Sequence, residues 1–261
     1  MINYIRCKKK LTFLIGFLLV SFSGVAQYSE FAHRDRDAQP AEKKRAPSTL
    51  YRTAITPTIL IAGGVLTFNN NPVFDRYDVY QKRQELFPGF RTRVDDYLTI
   101  APIAVVYGLD VLGVNAWHNF VNRSVRLLTA EALSYVVVLP LKNYTHVERP
   151  DGSNDMSFPS GHTTQAFVSA TFVHKELGGI SSWYSIGAYT TATAVGALRI
   201  LNNKHWLTDV LVGAGVGILS TNLAYLIFPE DGLSKKRMSD VLIVPRYEEG
   251  SVGFYLRLTL H

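Results

Sequence analysis

From residue 53 onward the apolar positions come in long blocks with little strict alternation: 53–68, 97–113, 124–141, 160–177, 183–201 and 206–228. Blocks of that length favour helix over strand. The pattern predicts an all-α bundle of about six helices, membrane-embedded or membrane-apposed. The last block, WLTDVLVGAGVGILSTNLAYLIF, carries Asp209 as its single charge and is long enough for a bilayer, which takes about 20 residues. Gly213, Gly215 and Gly217 within it would let a neighbouring backbone approach closely, although loose packing or a kink would explain them nearly as well. Arg126 and Glu131 interrupt 124–141, and Lys175 and Glu176 end the following block early. Those blocks also suit soluble core helices resting on a membrane. At the C-terminus the period changes. Phe254, Leu256, Leu258 and Leu260 alternate with Tyr255, Arg257, Thr259 and His261, and an earlier run covers Val241 to Val244. A small β-hairpin is expected in the tail, residues 229–261.

The N-terminus adds an address. Arg6, Lys8, Lys9 and Lys10 precede the apolar run LTFLIGFLLV, and Gly24 and Ala26 sit at the −3 and −1 positions before Gln27. A basic region, a short apolar core and a small-residue exit describe a signal peptide over 1–26, with an uncleaved anchor as the alternative. Residues 27–52 are charged and broken by Pro40 and Pro47, which suits a flexible leader. The helical domain then covers 53–228.

Composition narrows the picture further. The chain has 261 residues, 47% hydrophobic and 18% charged, which excludes a wholly disordered chain. Its single cysteine, Cys7, excludes a disulfide framework and a Cys-rich zinc site. The formal charge of +6 comes largely from the four cations before the first apolar run, so nucleic acid is not an expected partner.

The chemically informative residues form three clusters, each at the edge of an apolar block. Lys142 to Pro150 closes one block, Pro159-Ser160-Gly161-His162 opens the next, and Arg199 to Asp209 joins the last two. Singly, each has an ordinary explanation: a cation serving a helix C-terminus, a helix cap, a surface pair. Together they supply Lys142, Arg149 and Arg199 as cations suited to phosphate oxygens. Ser160 and Gly161 stand at a helix start, where the dipole favours an anion. His162 and His205 are imidazoles able to move protons or attack near neutral pH. Asp209, one turn after His205, can hold one of its ring nitrogens. That set suits phosphoryl transfer without a metal. No cofactor is expected, because no HExxH or similar ligand pattern accompanies these residues.

The pattern Lys-x6-Arg-Pro, Pro-Ser-Gly-His, Arg-x5-His-x3-Asp resembles the type 2 phosphatidic acid phosphatase superfamily. That group includes lipid phosphatases, bacterial lipid A and undecaprenyl-diphosphate phosphatases, soluble class A acid phosphatases and vanadium haloperoxidases. The resemblance covers residues 142–209 closely and the helical body loosely. It departs from the family at Leu198, where a serine is usual, and in the short gap from Pro150 to Pro159. By this resemblance His205 is the nucleophile that forms a phosphohistidine, and Asp209 orients it. His162 is the acid for the leaving oxygen and then the base for water. Lys142, Arg149, Ser160, Gly161 and Arg199 bind the phosphate oxygens. His146 reads as a variable position at the pocket edge, and His118 and His174 as structural or exposed.

Six full spans after an exported N-terminus would put the motifs inside the cell, whereas Lys235-Lys236-Arg237 would keep the C-terminal end inside and the motifs outside. The expected location is the cell envelope, with the site on the periplasmic face. The expected substrate is a phosphorylated lipid in a membrane, lipid A phosphate first. Undecaprenyl diphosphate comes next, then a soluble phosphate ester. A vanadium haloperoxidase and a non-catalytic lipid-binding protein are the readings from other classes.

Overall fold

The structure, a computed structural model, describes residues 47–68, 75–114, 116–228, 241–248 and 251–258. The signal segment, the leader up to residue 46 and Lys235-Lys236-Arg237 lie outside the described residues. Eight helices occur among them: α1 (Pro47–Leu66), α2 (Arg76–Leu86), α3 (Val94–Leu98), α4 (Ala101–Val111), α5 (Phe120–Thr145), α6 (Gly161–Leu177), α7 (Ser182–Leu201) and α8 (Leu207–Ile227). Val241–Glu248 and Ser251–Leu258 form an antiparallel backbone pair with Val241 opposite Leu258.

The count corrects the expectation of about six helices. The two extra ones, α2 (RYDVYQKRQEL) and α3 (VDDYL), are too polar for apolar blocks to reveal. Buried Arg83 anchors α2 by donating from Nε and Nη2 to the Leu201 carbonyl at 3.0 and 2.8 Å, at the end of α7. The block that began at 97 divides, α3 ending at Leu98 and α4 starting at Ala101 with Pro102 in its first turn, where the missing N–H costs nothing. Helix α1 starts at Pro47, inside the stretch assigned to the leader.

Helix α8 is the axis of the bundle. It is apolar on every side, and a helix of that kind belongs in a core. It packs against α1, α5 and α6, and α6 in turn packs against α7 and α4. The α8 glycines set these distances. A Cβ on Gly213 would stand 2.8 Å from the Ser160 carbonyl, and one on Gly215 2.8 Å from the Pro57 carbonyl. Close backbone approach is therefore what the three glycines provide.

Charges that interrupted the apolar blocks are used in the interior. Arg126, 1% exposed, donates to the Phe228 carbonyl from Nε and Nη2 at 3.2 and 2.9 Å, filling an acceptor that the end of α8 would otherwise leave open. Glu176 is equally buried and accepts from the His118 backbone N–H at 3.0 Å and from the Tyr225 hydroxyl at 2.5 Å. His118 Nδ1 also lies 2.8 Å from Glu176, and His174 Nδ1 lies 2.8 Å from the Ser185 hydroxyl. Both histidines serve structure. Buried charge is tolerable only with such partners.

Candidate active site

Three helix ends converge: the C-terminus of α5, the N-terminus of α6, and the turn from α7 into α8. Helix α5 stops at His146, whose φ of 45° is left-handed, a common way to end a helix. Its imidazole lies on the surface, 2.8 Å from Asp155. The chain then turns through Arg149 and Asp151. Lys204 binds Asp151 at 2.6 Å and Trp206 Nε1 donates to the Glu148 carbonyl at 2.7 Å. Those two bonds tie the first motif to the third across about fifty residues of sequence.

His205 is 3% exposed, with Nδ1 3.3 Å from Asp209 Oδ2 and 3.4 Å from Ser157 Oγ. Asp209 Oδ2 also accepts from Ser157 Oγ at 2.5 Å and from the Trp206 backbone N–H at 2.9 Å. The carboxylate thus both caps α8 and fixes the histidine, so that ring orientation is set by the same oxygen that caps the helix. Burial pushes the His205 imidazole down to about 4, against the opposing pull of Asp209. It is neutral at physiological pH.

Ser160 is fully buried and caps α6, accepting at Oγ from the Thr163 hydroxyl at 2.9 Å and the Thr163 N–H at 3.4 Å. Its backbone N–H donates to the Asp209 carbonyl at 3.0 Å. The hydroxyl proton of Ser160 and the first-turn N–H groups of Gly161 and His162 are what this terminus has to offer an anion. Gly161 faces Lys142, whose Cε would be 4.0 Å from an added Cβ. Lys142 Nζ donates to the Met156 carbonyl at 2.8 Å. Arg149 and Arg199 act on each other's charge, and Arg199 acts on His205 as well. Burial first, then Arg199, lowers the pKa of Arg149. The Nε atoms of Arg149 and Arg199 and Oδ1 of Asp209 are buried with no partner among the described residues.

Three residues missed by sequence reasoning belong here. Ser157 braces Asp209, and its place two residues before Pro159 was the only local sign of it. Asp95 and Asp96 come from α3. Asp95 is 1% exposed, accepting from Arg199 Nη1 at 2.7 Å and from Asn202 Nδ2 at 3.0 Å. Asp96 Oδ1 lies 2.9 Å from His162 Nε2. Burial and then Arg199 lower the His162 pKa, while Asp96 and Asp95 pull it upward. Separations of 104 and 66 residues leave no pattern in the sequence to join these pairs. Asp95, Asp96 and His162 bring three potential ligand atoms within 4.8 Å. Those side chains already satisfy Arg199, Asn202 and one another, so they do not form an open metal site.

A neutral, braced imidazole buried beside two arginines and a helix N-terminus has the chemistry of a metal-free phosphoryl-transfer site. Residues 123–232 match the PAP2 superfamily. Over 172 residues the chain is 35% identical to the lipid A 1-phosphatase of Porphyromonas gingivalis, covering 64% of this chain and 37% of that protein. The chain thus spans little more than a third of the length of that curated relative. Two crystal structures are also similar. Aquifex aeolicus LpxE matches 56% of this chain and 93% of its own, with 21% identity and a TM-score of 0.43. The transmembrane PAP2-type phosphatidylglycerolphosphate phosphatase of Bacillus subtilis matches 70% and 99%, with 19% identity and a TM-score of 0.47.

Proposed function

We propose that the protein is a metal-independent lipid phosphatase of the cell envelope, acting first on lipid A phosphate, with its site on the periplasmic face. The observation that carries the chemistry is the Ser157–Asp209–His205 set beside Arg149 and Arg199. The guanidinium Nε donors that lack acceptors are suited to the oxygens a phosphate carries. His205 Nε2, the nitrogen not turned to Asp209, would attack phosphorus and displace the alkoxide, giving a phosphohistidine. Asp209 would stabilise the positive charge that grows on the ring. His162, held by Asp96, would give its proton to the leaving oxygen and then take one from the water that hydrolyses the phosphohistidine. Lys142, Arg149, Arg199, Ser160 and the Gly161 N–H would hold the three equatorial oxygens. Similarity to a lipid A 1-phosphatase supports the substrate. Membrane association is supported by α5, long and apolar enough to cross a bilayer and mostly unburied within the protein.

The test is phosphate release by the detergent-purified protein in EDTA. Its panel is lipid A, undecaprenyl diphosphate, phosphatidic acid and an aryl phosphate, with His205→Ala alongside. Release from lipid A, lost by at least about a thousandfold in the variant, is the expected result. Silence across the panel from folded protein would defeat the phosphatase reading, and loss of turnover in EDTA would defeat the metal-free mechanism.

A further inference from the structure

Beside the phosphate site a cavity of about 380 Å³ opens between α5 and α6, lined in part by Val138, Gly161, Tyr135, Glu131 and Gln165. Gly161 belongs to both, so the cavity is continuous with the place where the reacting phosphate would sit. One turn further along α6, about 6 Å, Gln165 donates from Nε2 to Glu131 Oε1. Two of the hydroxyls on these walls are satisfied within their own helices, and that of Tyr135 belongs to a largely exposed side chain. Ser134 donates to the Glu131 carbonyl at 2.9 Å and Thr164 to the Ser160 carbonyl at 2.9 Å. The Glu131–Gln165 pair is therefore the half-buried polar feature of the cavity still able to bind. It stands in the middle of α5, a helix long and apolar enough to span a bilayer. An ionisable group at such a depth is costly and calls for a purpose. The α5 surface beside the cavity is apolar and open, with Leu128, Tyr135 and Val136 all at least 64% exposed.

We propose that this cavity receives the body of the substrate lipid, and that Glu131 and Gln165 select a lipid whose acyl chain is attached by an amide close to the phosphate. Glu131 Oε2 makes no hydrogen bond among the described residues, and a carboxylate oxygen accepts but does not donate. An amide N–H supplies the donor it needs, and the amide carbonyl can accept the second N–H of Gln165. An ester supplies acceptors alone and leaves the carboxylate unpaired, the kind of mismatch that a built polar site rejects strongly. Acyl chains would leave the cavity along the open face of α5.

The inference rests on the lipid-phosphatase reading, and its test separates the two. The probes are a glucosamine 1-phosphate acylated through nitrogen and its matched oxygen-ester isostere, presented in detergent micelles to the full chain. Wild-type kcat/KM is expected to favour the amide by about tenfold or more. In Glu131→Leu that ratio should collapse toward one, and Glu131→Gln, which keeps the shape and the oxygen facing Gln165 but puts an NH2 donor in place of Oε2, should lose the amide preference as well. Equal turnover of both probes by wild type, or a ratio unchanged in Glu131→Leu, overturns the proposal. Binding of both probes to His205→Ala protein, followed by native mass spectrometry, gives the same preference without turnover. No phosphate release by wild type with amide-preferring binding defeats the phosphatase reading alone, and equal binding defeats the cavity's selectivity alone.

Discussion

At the scale of single residues the site depends on an imidazole kept uncharged by its surroundings. The folded-state pKa of His205 is about 4, below the ordinary 6.5 of an unfolded chain. Between those values the unfolded state binds the extra proton, so stability is lost as pH falls from 6.5 toward 4. His174, lowered to about 3 by burial and then by Lys175, adds in the same direction. Replacing His205 by Asn should remove one of these two contributions, worth roughly 3 kcal/mol at full shift. Thermal unfolding from pH 7 to 4 should then show a shallower loss of Tm in His205→Asn than in wild type. Parallel curves would mean that the histidine is not held neutral by the fold. Part of this geometry is legible in the sequence. His205 and Asp209 are one helical turn apart, and Ser160-Gly161 announces a helix start. Ser157, Asp95 and Asp96 were not legible, since nothing local marks a serine or an aspartate whose partner lies tens of residues away.

At the scale of elements, α8 is held by backbone contact more than by side-chain volume. A methyl group on Gly215 would stand 2.6 Å from Ile61 Cγ1 and 2.8 Å from the Pro57 carbonyl. Gly215→Ala should force α1 away from α8 and cost about 1–3 kcal/mol. Gly108 in α4 meets nothing within 4 Å, so Gly108→Ala should be neutral or stabilise by up to about 1 kcal/mol through helix propensity. Denaturant unfolding of the two variants checks the pair, and equal effects would contradict the packing described. The glycines stand out in the sequence, but their meaning does not. Whether a glycine marks contact or slack depends on what crosses it, and only the placement of α1 and α6 decides that. The same limit hid α2 and α3. Their sequences lack an apolar stripe because a few tertiary anchors hold them, Arg83 on the end of α7 for one and Asp95 on Arg199 for the other.

At the scale of the whole molecule the two helices long and apolar enough to cross a bilayer have different surroundings. The apolar window of α8 is 67% buried inside the protein, whereas that of α5 is only 22% buried. Apolarity in α8 is accounted for by the bundle, and in α5 it is left facing outward, a surface that lipid would cover. The protein should therefore stay with the membrane through high-salt and carbonate washing. Charged replacements at Leu128 and Val136 together should release a measurable fraction or lower the yield of folded protein, whereas the same change at Tyr77, on α2, should not. Release of wild-type protein by salt alone would contradict a lipid-facing α5.

The sequence by itself determined the helical class, the boundaries of the last four blocks to within four residues, and every member of the three motifs, because helix periodicity, caps and i, i+4 spacing are local properties. It also carried the family pattern across 142–209. Tertiary structure alone decided which charges are buried and with what partner, which face of α5 is left open, and how α3 reaches His162. Those outcomes depend on distances between segments far apart in the chain. The energy of a buried charge or a close glycine contact exists only once both sides are in place.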